Sequence, residues 1–88
     1  MGVEFDLVEA ASNLRKHGVT FEEAASALLD PMALVKEDLD SVSEARWTLL
    51  GMSSLARLLM VVYTLRRDDS VRLISARRAS RSEEKHYA

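Results

Sequence analysis

Four arginines, Arg46, Arg57, Arg72 and Arg77, fall on or beside short apolar runs that read as strands, so one sheet can gather them around a phosphodiester. Arginine suits that role because its planar fork binds two phosphate oxygens at once and stays charged. Each has a plainer alternative use, lying along the sheet surface with its head in water. His17 is a candidate general base, because histidine as a residue type has a reference pKa that permits proton transfer near neutrality. In the last turn of a helix it is explained equally well by the helix dipole. Lys16 beside it offers phosphate a mobile point charge, or is simply solvated. Tyr63 and Tyr87 can act as acids or bases or stack on a nucleobase, with Tyr63 reading better as core. Glu83 reads as a helix cap rather than a catalytic base. With no cysteine and two histidines the chain lacks a convincing zinc set, and neither a metal nor a cofactor is expected.

Phe5-Asp6-Leu7-Val8-Glu9 opens the first of the elements that must position these groups, with Asp6 as cap, Glu9 as its reciprocal partner and Phe5 stapled onto Ala10. Leu7, Ala10, Ala11 and Leu14 recur at helical spacing as the expected buried stripe, and Gly18 closes the helix after Arg15-Lys16-His17. The signal repeats with Thr20 as cap and Glu23 as its partner. Phe21, Ala24, Ala25, Leu28 and Leu29 are then the stripe, and Asp30-Pro31 is the stop. From Met32 the period shortens. Runs at Ala33 to Val35 and Trp47 to Leu50, separated by Asp38-Leu39-Asp40-Ser41, read as strands. Arg57 to Thr64, apolar on both faces, reads as a central strand, and Val71 to Ala76 as its neighbour across the Arg66 to Ser70 turn. Ser80-Arg81-Ser82-Glu83 is a capping box for a last short helix. The expected fold is α+β: two N-terminal helices on a three- to four-stranded antiparallel sheet with a short C-terminal helix. It forms one domain over 1–88, with Leu59, Val61 and Leu73 buried.

Hydrophobic residues at 48% and charged residues at 30% exclude the disordered class. Leu49 to Leu65 is almost wholly apolar, yet it falls short of the roughly 20 residues a membrane helix needs and would bury Arg57 at about 3 kcal/mol. No membrane association is expected. The start Met1 to Asp6 carries neither a basic head nor an apolar core, and Asp6 stands where a myristoylation motif needs Ser or Thr. A reducing, cytoplasmic location follows from cysteine usage. The formal net charge of -2 hides a split: residues 1–56 carry four basic and ten acidic side chains, residues 57–88 eight basic and four acidic. Such asymmetry suits a polyanion or an acidic partner, and equally a solvated face.

The run Asn13 to Ala24, then Leu29-Asp30-Pro31, Glu44-Ala45-Arg46-Trp47, Leu50-Gly51, Arg57 to Thr64, and Arg72 to Ala79 closing with Glu83-Glu84 and Tyr87, resembles the BrnT toxins over nearly the whole chain. Two positions depart from that pattern: Glu9 replaces the usual Lys, and Ala56 the usual Gly. The resemblance implies a compact RelE-like fold and ribonuclease activity without metal. It also implies a ribbon-helix-helix antitoxin, BrnA-like, through which alone operator DNA is bound. A hetero-oligomer with that antitoxin is expected, and a homodimer alone is left open. On this reading RNA is cut by its own 2′-hydroxyl, with Arg57, Arg77, Arg46 and His17 as catalytic candidates and Lys16, Arg72 and Tyr87 as RNA contacts. The alternative is a noncatalytic binding module within a transcriptional repressor complex, which needs the same arginines.

Overall fold

The computed structural model describes residues 2–39 and 45–87. The Asp40-Ser41 boundary and Glu44 of the family pattern lie outside them. Asp6 caps α1 (Leu7–His17), accepting from Val8 and Glu9 N–H, and Gly18 closes it at φ 68° in the left-handed region that glycine tolerates best. Thr20 caps α2 (Phe21–Ala27). Beyond Ala27, three tight turn bonds carry the chain to Asp30. The short strand β1 (Val3–Glu4) precedes α1, and β2 (Leu34–Asp38), β3 (Arg46–Met52), β4 (Leu58–Leu65) and β5 (Val71–Arg78) follow α2. The chain ends in α3 (Arg81–Glu84), whose N-terminus carries the expected Ser80/Glu83 capping box.

The sheet has five strands in the order β1-β5-β4-β3-β2, with β1 parallel to β5 and the other pairs antiparallel. It is mixed rather than purely antiparallel, and it has one strand more than expected. Two residues of β1 are too few to show a period, and they pair where the Val71 N–H donates to the Gly2 carbonyl at 2.8 Å. β4 is central, as its two-sided apolar run requires.

Alternation along β4 sends Leu59, Val61 and Tyr63 toward the helices, where they pack with Val19, Phe21, Ala24, Ala27, Leu49 and Leu73. Phe5 meets Phe21 edge-on, with ring centroids 5.3 Å apart. Full burial of a side chain such as Phe21 contributes about 1.5–3 kcal/mol. Where β3 passes the end of α2, an added Cβ at Gly51 would stand 2.8 Å from the Ala27 carbonyl oxygen, so only glycine allows this approach.

Two helix stripes require correction. Leu7, Ala11 and Leu14 face water, while Asn13 is the fully buried residue of α1. The reason is the free edge of β5. There the Asn13 carboxamide accepts from the Ala76 N–H at 3.0 Å and donates to the Ala76 carbonyl at 2.8 Å and the Val19 carbonyl at 2.9 Å. A polar side chain thus completes the ladder where a strand would otherwise pair. Leu29 is likewise exposed, because α2 ends before reaching it.

Candidate functional site

The same alternation turns Met60, Val62 and Thr64 of β4 away from α1 and α2, beside Leu50, Thr48 and Arg46 of β3. On the other side they meet Arg77, Ser75 and Arg72 of β5. A bulge between Val62 and Tyr63 keeps Ser75 and Arg72 on this face although two residues, Leu73 and Ile74, separate them. Arg46 and Arg72 oppose Thr64 from its two neighbours, forming one cross-strand row. Thr64 is fully buried, and its hydroxyl finds no hydrogen-bond partner among the described residues.

α1 lies along β5, and between them opens a cleft of about 360 Å³ lined by Val8, Glu9, Ser12, Asn13, Lys16 and His17 of α1 and by Ile74 and Ser75 of β5. The basic last turn of α1 supplies Lys16 and His17. Glu9 holds the Arg72 guanidinium at 3.2 Å and so tethers that cation to the cleft. Glu9 does not reach back as a reciprocal cap; the arginine 63 residues away competes for it. Lys16 and His17 thus share the cleft with two hydroxyls, Ser12 and Ser75, and Arg72 is tied to it only through Glu9.

The remaining candidates are held apart. Arg57 grips Glu23 through Nε and a terminal nitrogen, and also donates to the Gly18 carbonyl at 3.2 Å. Glu23 is almost fully buried, and Ser53 donates to its second oxygen at 2.7 Å. The Arg57 hydrogen bond holds the Glu23 carboxyl below the usual glutamate range against the opposing effect of burial, and the same bond raises Arg57. The expected capping role of Glu23 is thus half correct: its N–H binds Thr20 at 3.0 Å, while its side chain serves Arg57.

Arg77 makes two bonds to Glu83, at 2.8 and 2.7 Å, and together with the Ser80 N–H this lowers the Glu83 carboxyl to about 2. The Tyr87 hydroxyl donates to Asp30, which also accepts from Met52 N–H at 2.7 Å and Met32 N–H at 2.9 Å. That bond raises the Tyr87 hydroxyl above its ordinary range and lowers Asp30. Arg46 is exposed at the start of β3. The structure does not gather Arg46, Arg57, Arg72 and Arg77 around one anion, because three of the four each face a carboxylate of their own. Sequence reasoning named neither Glu9 nor Glu23 as a site partner. The one signal available was Glu9, read from the sequence as a departure from the resemblance.

Among the described residues no group of three or more His, Asp or Glu is placed to hold a metal ion, and no helix is long and apolar enough to cross a membrane.

The site thus combines a sheet face bearing arginines with the basic end of a helix in a small α+β domain. Residues 5–83 match the family model described as the ribonuclease toxin, BrnT, of type II toxin-antitoxin systems, and the chain belongs to that family. The fold is similar to the crystal structure of the Brucella abortus ribonuclease toxin, BrnT, with a TM-score of 0.72 and 22% identity over 92% of this chain and 99% of that one. No curated protein sequence matches it significantly.

Proposed function

We propose that this toxin cuts RNA internally without a metal ion, and that the cleft between α1 and β5 binds the scissile phosphate. The observation that carries the reading is the presence there of Lys16 and His17, with Arg72 tethered to Glu9 of the same cleft. The substrate 2′-hydroxyl attacks the adjacent phosphorus, His17 accepts its proton, and the bond to the 5′-oxygen breaks as that oxygen takes up a proton. A 2′,3′-cyclic phosphate and a 5′-hydroxyl result. Arg72 and Lys16 stabilise the charge that builds on the phosphate oxygens, the task a metal would otherwise perform. Arg46 on β3 and Arg77 on β5 extend the cationic face across the sheet. Arg57 acts by anchoring α2 to the turn before β4, and Tyr87 by holding the end of the chain.

A ribbon-helix-helix antitoxin, BrnA-like, neutralises the enzyme in the cytoplasm, and operator DNA is reached through that antitoxin. The type II family supports an antitoxin partner. The test is a purified chain incubated with RNA, with and without EDTA, followed by analysis of the product ends. Cyclic-phosphate ends formed equally with EDTA are expected. Loss of cleavage on chelation, restored by manganese or zinc, overturns the metal-free reading, and RNA left intact in both arms overturns catalysis.

A further inference from the structure

The stripe of α1 opposite Asn13 carries apolar side chains into water: Leu7 is 78% exposed, Val8 77% and Leu14 47%, with exposed Ala11 between them. These positions lie at i, i+1, i+4 and i+7, with Val8 at the border of the stripe and the cleft beside β5. Their surroundings are charged in a graded way along the axis. Asp6 caps the N-terminal end, Glu4 of β1 near it being paired with Arg66, and Arg15, Lys16 and His17 make up the last turn. Arg15 forms no ion pair among the described residues.

We propose that this stripe is the contact surface for a second copy of the chain, with two α1 helices packed antiparallel across a two-fold axis near Ala11. The pattern is self-complementary, as an isologous contact demands. Ala11 meets Ala11 of the second copy and lets the helices approach closely, while Leu7 and Val8 of each copy cover Leu14 of the other. The acidic end of each helix then faces the basic end of its mate, and the helix dipoles oppose. An acidic partner or a nucleic acid would match only half of this gradient, whereas a second copy matches all of it. A helix of 11 residues is about 16 Å long, so the contact is smaller than the roughly 1,200 Å² of a standard interface, and exchange is rapid with micromolar affinity. The surface adjoins the cleft that holds Lys16 and His17, since Val8 borders both, so pairing bears directly on access to the proposed phosphate site.

The chain has no cysteine, which allows a clean test by single substitution. Ala11→Cys places one thiol on the proposed axis, while Leu29→Cys places one at an equally open site elsewhere, 74% exposed. Under mild oxidation, Ala11→Cys should convert to a disulfide-linked dimer at least tenfold faster than Leu29→Cys. In sedimentation velocity between 1 and 300 µM the unmodified chain should shift from 9.9 kDa toward twice that mass. Ala11→Glu, which sets two carboxylates face to face, should raise the dissociation constant at least tenfold with an unchanged circular dichroism spectrum. A monomer throughout the range overturns the proposal, as does equal cross-linking at the two cysteines. A folded Ala11→Glu variant that dimerises normally also overturns it. So does a monomeric wild type for which Ala11→Glu abolishes antitoxin binding, since the antitoxin is then the occupant.

Discussion

Arg57→Ala separates two roles that the sequence left undivided. Glu23 retains 3% of its side-chain exposure and stays ionised because the guanidinium faces it. A buried carboxylate stripped of its partner costs about 3–5 kcal/mol. The Ser53 hydroxyl still donates at 2.7 Å, which places Glu23 near the lower bound, about 3 kcal/mol. For a domain of this size that corresponds to a fall in melting temperature of about 12–24 °C. The Gly18 carbonyl, and with it the junction of α1 and α2, loses its contact in the same step. The assay is a thermal melt of each variant beside RNA cleavage measured well below its melting point. Adding Glu23→Gln removes the stranded charge, so the double variant should recover part of the lost stability. If Arg57 is an anchor, cleavage returns with stability. A stable but inactive double variant means that the guanidinium acts on phosphate directly. An Arg57→Ala protein that melts within 2 or 3 °C of wild type refutes the reasoning outright. Acid probes the same pair. Because the folded Glu23 carboxyl lies below its unfolded value, its contribution is complete above the ordinary glutamate range and is lost as pH falls from that range through the lowered folded value. Wild type should therefore lose stability in acid more steeply than the double variant.

Asn13→Ala leaves the Ala76 N–H and two carbonyls without their partner and should cost about 2–3 kcal/mol, read as a lower melting temperature and faster amide exchange at Ala76. Ala56 sits at φ 60°, so Ala56→Gly should stabilise by about 1 kcal/mol, and an unchanged melt would show that the turn carries no strain. Glu9→Lys releases Arg72 and adds a cation to the cleft, so RNA should bind more tightly with a salt slope steeper by about 1.4 for the two charges gained. Weaker RNA binding by a folded Glu9→Lys protein would move the phosphate site elsewhere.

What could be read from the sequence was local. Asp6, Thr20, Gly18 and Ser80 cap as expected because each cap is decided within three or four residues of chain. The two-sided apolar run of β4 marked a central strand because no edge strand can bury both faces. What failed was non-local. Leu7, Ala11 and Leu14 have the spacing of a buried stripe, but which side of α1 turns inward is decided by Asn13 meeting Ala76, 63 residues away. Glu23 fits a cap pattern, and nothing within one helix turn reveals Arg57, 34 residues on. Within the site, Lys16 and His17 were adjacent in sequence and stayed together. The arginines were grouped by type, and the fold separated them by partner.

The charge split along the chain takes on a different meaning once those partners are known. The acidic first part and the basic last part suggested a surface turned toward a polyanion. Yet Arg57–Glu23, Arg66–Glu4 and Arg72–Glu9 each join a basic residue of the last part to an acidic residue of the first. Much of the asymmetry therefore fastens α1, α2 and β1 to the strands instead of facing outward. Exposed pairs of this kind contribute little individually, about 0–1 kcal/mol, whereas the buried Glu23 is costly to abandon. The consequence for phosphate binding is specific. An incoming phosphodiester must compete with Glu9 for Arg72 and with Glu83 for Arg77, while Lys16 has no carboxylate within ion-pair distance among the described residues. On the proposed reading first contact with RNA falls to Lys16, and Arg72 follows by exchanging one anion for another. On that reading the carboxylate of Glu9, which holds Arg72, sets how tightly this chain binds RNA.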